Sequence, residues 1–208
     1  MARTPAVVAP TFFAEQFRAL GTPARAAGEK AYLKSDLRFH GVTVPDVRRA
    51  CLDFCHAQRG LDRERLRAEA DALMATDFHD LRSAAVGVLE RKRALLAPDD
   101  LPWLVGLVRH TGNWAHVDWI ATKLVGPLVT GHRRAPAFLR AWAADADFWV
   151  RRTALLAQLD ALRAGGGDFA LFAAIAAPML TEREFFIRKA IGWVLLTYPG
   201  GIGTLNRQ

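Results

Sequence analysis

The chain repeats itself. Four helix-like starts align without gaps: FHDLRSAA from Phe78, WAHVDWIA from Trp114, FWVRRTAL from Phe148 and FFIRKAIG from Phe185. They lie 36, 34 and 37 residues apart. Each is preceded by roughly one further amphipathic helix. A helical hairpin of this size cannot bury its apolar face alone, so successive hairpins must stack. The expectation is an all-α fold, an α-solenoid (superhelix) of HEAT-like helical-hairpin repeats. The repeats are somewhat short for standard HEAT units. One such domain is expected over residues 1–208, with residues 1–10 as a loose N-terminal arm.

Local patterns agree. Apolar residues recur at helical spacing almost throughout, and alternating strand patterns are absent. Thr22-Pro23 reads as an N-cap followed by Pro at the first helical position. Pro45 opens a helix running to Gly60, and Asp62 caps the next. LRFHGVTV, Leu37 to Val44, interrupts the helical pattern and reads as an ordered loop. AGGGD, Ala164 to Asp168, lacks the Lys-Ser/Thr of a phosphate loop and reads as a helix–helix turn. FALFAAIAAPML, Phe169 to Leu180, is too short to span a bilayer and reads as a buried helix.

The repeat columns point to a site. The first position is always aromatic: Phe78, Trp114, Phe148, Phe185. The fifth is always charged: Arg82, Asp118, Arg152, Lys189. Equivalent positions of successive second helices line one surface of a solenoid, usually the concave one. The result is a row of cations with one anion in the middle. Such a row suits a phosphate backbone, and an aspartate there opposes phosphate binding. Either Asp118 pairs with a flanking Arg, or its charge is wanted.

Charge points the same way. Lys+Arg number 28 against 21 Asp+Glu, a net charge of +7. Arg dominates, and its planar fork is the better bidentate partner for phosphate. A basic balance of this size favours a polyanion, nucleic acid first. Cys51 and Cys55 have no second pair and no suitably placed His, so a disulfide framework or zinc site is not expected. The six histidines form no ligand spacing such as H-E-x-x-H and read as structural or surface, His116 being the one that could reach DNA. Neither metal nor cofactor is expected. The N-terminus has no signal-peptide pattern, and a reducing bacterial cytoplasm fits.

The segments AYLKSDLRFHGVTVPDVR, NWAHVDWIATKLVG, FWVRRTALLAQL and FFIRKAIGWVLLTY, in that order, resemble the signatures of the AlkD-type DNA alkylation repair glycosylases, a family of HEAT-like-repeat proteins. The resemblance covers most of the chain. It implies hydrolysis of the N-glycosidic bond of N3- or N7-alkylated purines in double-stranded DNA. It also implies roles. Asp118 matches the catalytic aspartate, and Trp114 an active-site tryptophan one helical turn before it. Arg152 matches an essential arginine, and Trp193 a second active-site tryptophan. Tyr32 matches an N-terminal aromatic of the same cleft. Arg48, Arg82, Arg151, Arg188 and Lys189 are the expected DNA-contacting cations. The default oligomeric state is monomer.

This chemistry suits one carboxylate. An N3- or N7-alkylpurine is cationic and leaves readily, so little general-acid help is needed. The enzyme must oppose charge on an oxocarbenium-like sugar and admit a water. Tryptophan faces attract such a cation, and Arg152 would hold the phosphate beside the lesion. The plainer readings stay open. Trp114 and Trp193 could be ordinary repeat packing, Arg152 a salt-bridge partner of Asp118, and Tyr32 a helix-packing residue. Trp103, Trp119, Trp142 and Trp149 read as packing. Departures from the family pattern fall at Asn113 and Ala115, at Leu196 and Thr197, and in the short tail PGGIGTLNRQ. The alternative functions are a catalytically silent HEAT-like protein recognising damaged or branched DNA, and a protein–protein scaffold.

Overall fold

A computed structural model describes residues 8–199. Among them there is no β-strand, only an isolated bridge between Arg38 and Phe78. The fold is of the all-α, helical-hairpin solenoid class. No described helix is long and apolar enough to cross a membrane. The chain divides into two units, Met1–Leu96 and Ala97–Gln208.

The first unit contains α1 (Ala9–Leu20), α2 (Pro23–Leu33), α3 (Val44–Ala57), α4 (Arg63–Met74) and α5 (His79–Arg91). Phe13 and Phe17, spaced i,i+4 on α1, are fully buried, and Phe13 meets Phe54 of α3. Burying each such ring contributes about 2 kcal/mol. Leu66, Ala70 and Leu73 give α4 its buried stripe, and Leu81, Ala84, Ala85 and Val88 that of α5. Burial lifts the Cys51 thiol to about 12, so it packs as a small apolar side chain.

The caps fall where the sequence places them. The Thr22 hydroxyl accepts the Arg25 N–H at 3.4 Å, and the Asp62 carboxylate the Arg65 N–H at 2.8 Å. Helix α3 ends at Ala57, however, with Gln58 at the C-cap, so Gly60 lies in the turn and does not stop the helix. The arm also differs from expectation. Helix α1 starts at Ala9, because buried Glu69 accepts the Val8 and Ala9 N–H groups at 3.0 and 2.8 Å. That carboxylate neutralises helix-terminal amides and their partial positive charge. Residues 1–7 lie outside the described residues.

The loop 37–43 is held by Asp80 and by backbone pairing. Asp80, 2% exposed, accepts the His40 N–H at 2.6 Å and the Val42 N–H at 3.2 Å. Arg38 pairs with the segment before α5, donating to the Asp77 carbonyl and accepting from the His79 N–H, both at 2.8 Å. Gly41 lies at φ +77°, and a Cβ there would stand 2.3 Å from the Thr22 carbonyl oxygen, so only glycine fits.

The second unit contains α6 (Leu101–Thr111), α7 (Trp114–Trp119), α8 (Gly126–Val129), α9 (Ala135–Ala143), α10 (Phe148–Leu156), α11 (Leu159–Arg163), α12 (Phe169–Ala176) and α13 (Phe185–Thr197). Helix α10 is its hub and packs against α6, α7, α9, α12 and α13. A π-helical segment, Ile120–Val125, joins α7 to α8 without a break. Its ladder includes an i→i−5 bond from the Gly126 N–H to the Ala121 carbonyl. Pro127 follows, and its ring would crowd the carbonyl four residues back in a regular helix. The wider turn relieves that clash. The apolar run from Phe169 is not one helix. It breaks after Ala176 into a 3₁₀ turn, Ala177–Met179, at Pro178, and Leu180 is 64% exposed.

Candidate active site

The repeat starts coincide with helix starts. Helices α7, α10 and α13 begin at Trp114, Phe148 and Phe185, and α5 one residue after Phe78. In the second unit the preceding residue is the cap. Asn113 accepts the Ala115 N–H at 2.8 Å, Asp147 the Trp149 N–H at 2.8 Å, and Glu184 the Phe186 N–H at 3.1 Å. Asn113 is thus a buried N-cap, 3% exposed, and not a cleft residue. The aromatic column is not core, since none of its four members is fully buried and Phe185 is 57% exposed.

Asp118 and Arg152 meet across α7 and α10. The guanidinium grips the carboxylate at both oxygens, Nε to Oδ1 at 2.7 Å and Nη2 to Oδ2 at 2.8 Å. Its Nη1 donates to the Phe186 carbonyl. The Phe186 ring lies 5.7 Å from the guanidinium carbon, and Trp149 packs against that ring. The Arg152 side chain is 1% exposed and that of Asp118 16%. The arginine is therefore spent and dry, while the carboxylate keeps an edge open. A planar fork bonded on three nitrogens fixes the carboxylate's position and plane. Below Asp118, its own carbonyl accepts the Thr122 hydroxyl at 2.8 Å, at the start of the π-helical segment.

That open edge faces a cleft of about 580 Å³ lined by Trp114, Asp118, Arg152, Lys189, Gly192, Trp193 and Leu196. Trp114 is half-buried and Trp193 is 37% exposed. The Lys189 ammonium lies 5.8 Å from the Trp114 ring centroid and equally far from that of Phe185. Among the residues lining the cleft, Asp118 is the one carboxylate. The arrangement can hold a cationic or aromatic group between indole faces and set one fixed negative charge against it. It offers no second acid to protonate a leaving group.

The structure gathers Trp114, Asp118, Arg152 and Trp193 around one cleft. It changes the roles of several cations. Arg152 cannot hold a phosphate, because burial and Asp118 consume it. Arg151 is a clasp: it pairs with both Glu182 oxygens at 3.1 and 2.9 Å and donates to the Asp145 and Ala146 carbonyls. Arg82 is half-buried and donates to the Thr76 carbonyl at 2.8 Å, with burial lowering its pKa. The expected row of free cations is therefore not built. Lys189 and Arg188 of α13 and Arg48 of α3 are exposed. Tyr32, 73% exposed, lies in the last turn of α2 in the first unit. Gly192 and Leu196 are cleft residues that the sequence reading did not assign. The available signal was spacing: 185, 189, 192, 193 and 196 share one face of α13.

The family model described as DNA alkylation repair enzyme matches residues 13–199. In fold the chain is similar to a solved structure, a predicted DNA alkylation repair enzyme from Enterococcus faecalis. The TM-score is 0.75 at 24% identity, over 90% of this chain and 85% of that one. No curated protein matches the sequence.

Proposed function

The chain belongs to the DNA alkylation repair enzyme family, and from that premise we propose that it is a DNA glycosylase which hydrolyses the N-glycosidic bond of cationic N3- or N7-alkylated purines in duplex DNA. The carrying observation is the single carboxylate, Asp118, pinned at both oxygens by buried Arg152 and open to a cleft between Trp114 and Trp193.

The chemistry follows from charge. The C1′–N bond of an alkylated purine breaks with its electron pair going to the base, which leaves neutral. Positive charge then sits on the sugar. Asp118 opposes it at close range in a partly dehydrated site, and water adds at C1′ while its proton passes to the carboxylate. No acid is needed, because the base departs already carrying its compensating charge; the absence of a second carboxylate in the cleft lining fits this. The indole faces of Trp114 and Trp193 add attraction for the cation, with stacking on the order of 1–3 kcal/mol. Arg152 is a positioning residue here. The phosphate beside the lesion falls to the exposed ammonium of Lys189, and not to Arg152.

The test is incubation with methylated duplex DNA and chromatography of free bases. Asp118→Asn keeps DNA affinity and loses base release by a factor on the order of 10²–10³, the usual cost of one preorganised charge. Full release by this variant would remove Asp118 from the mechanism. Salt-sensitive binding with no release by the native chain would instead support the binding-only alternative.

A further inference from the structure

The second unit holds another cavity, away from the cleft. It is about 210 Å³ in volume. Its apolar walls are Val129, Leu139, Ala157 and Leu171, drawn from α8, α9, the end of α10 and α12. Gln158 sits among them. This side chain is 93% buried, being 7% exposed. Its Nε2 donates one N–H to the Ala154 carbonyl at 3.0 Å. A carboxamide has two donors and an acceptor oxygen. Among the described residues the side chain makes no other hydrogen bond, and its remaining polar edge meets the cavity it lines.

Size and chemistry together narrow the occupant. An apolar cavity of about 150 Å³ holds a benzene-sized ring, so this one accepts a small fused heterocycle. The free N–H and Oε1 form an adjacent donor–acceptor pair, the pair with which Gln reads the N6/N7 edge of adenine. His132, on the same lining, accepts the Arg134 N–H at Nδ1 (3.3 Å), so its proton sits on Nε2 as a further donor.

We infer that this cavity is a second ligand site, which takes a free adenine-type base through Gln158. The site stands on its own chemistry and does not need the glycosylase reading. If that reading holds, a released 3-alkyladenine presents the same edge and is one member of the ligand class.

Calorimetric titration of the full chain with adenine decides it. One equivalent binds, and purine, which lacks the N6 amine, binds about tenfold more weakly or worse, as expected for one lost hydrogen bond that leaves a buried partner unpaired. Gln158→Leu loses adenine binding to the same extent. Gly166→Leu, which also lines the cavity and whose first side-chain carbon would meet nothing within 4 Å, fills the space without touching Gln158 and abolishes binding. It carries the test if Gln158→Leu does not fold. Trp193→Ala leaves binding unchanged. The inference is overturned if adenine gives no heat at millimolar concentration, if purine binds as well as adenine, or if both cavity variants bind normally. Loss of binding in Trp193→Ala overturns it too, since the base would then sit in the cleft. Base release from alkylated DNA is a separate readout, so neither proposal's failure disguises the other's.

Discussion

Two aspartates, one in each unit, show how the same side chain is put to opposite uses. Asp80 in the first unit is 2% exposed and spends its oxygens on the backbone amides of His40 and Val42. It is a staple that holds loop 37–43 against α5. Asp118 in the second unit is held by one side chain, Arg152, and keeps an edge open to the cleft. Amide donors come from a chain that must be somewhere anyway, so Asp80 stabilises structure directly. A guanidinium in a dry site is itself costly to bury, so the Asp118–Arg152 pair is weak evidence of stability and good evidence of positioning. Burial alone does not separate a carboxylate that staples backbone from one that faces a cleft. What faces the remaining lone pairs does.

The comparison can be broken at several points. Arg152→Ala is the most damaging change expected, since it leaves Asp118 uncompensated at a partly dry position. It should lower unfolding free energy by about 3–5 kcal/mol in denaturant titrations. Arg152→Lys should recover much of that stability but not base release, because an ammonium cannot reproduce the fork. Asp80→Asn comes next, at about 1–3 kcal/mol, as a backbone amide loses its acceptor. Its folded fraction should release base at the native rate. If it does not, the division of labour between the two residues is wrong.

A pH effect should separate the units more gently. Burial pushes His79, beside Asp80, down to about 4 from an ordinary 6.5, and also lowers His40. The folded state therefore holds these rings neutral while the unfolded chain takes up protons below about 6.5. Their contribution is complete above that pH and is lost as pH falls toward 4. Urea midpoints should drop over that window and flatten in His79→Phe; an unchanged slope in that variant would remove His79 as the cause. The smallest effect belongs to Lys189. Lys189→Met should weaken DNA binding uniformly across sequences and reduce the salt slope by about one. A variant with an unaltered slope would show that this ammonium does not meet a phosphate.

Much of this was readable in advance, for identifiable reasons. Helix starts were, because the aromatic at Trp114, Phe148 and Phe185 follows a capping side chain at Asn113, Asp147 and Glu184, and both signals are local. Asp118 was, because it breaks a charged column. Environment was not. Arg151 and Arg152 are neighbours in sequence, yet one clasps Glu182 and two carbonyls while the other lies buried against Asp118, with partners 31 and 34 residues away. No local pattern carries that distinction. Nor does it separate Arg152 from Lys189, which share a column with opposite exposure. The departure from the family pattern at Asn113 has the same kind of explanation: the residue caps the Ala115 amide from a buried position.

The π-helical segment at Ile120–Val125 acts as a phase shift. One extra residue in the ladder retards everything after it by about 100° around the axis, relative to an unbroken α-helix. Asp118 and Val129, at opposite ends of that rod, consequently point to the cleft and to the second cavity by virtue of an inserted residue rather than of their spacing. Deleting one residue there would restore the ordinary pitch and turn α7 and α8 out of phase with each other, with every cleft side chain still present.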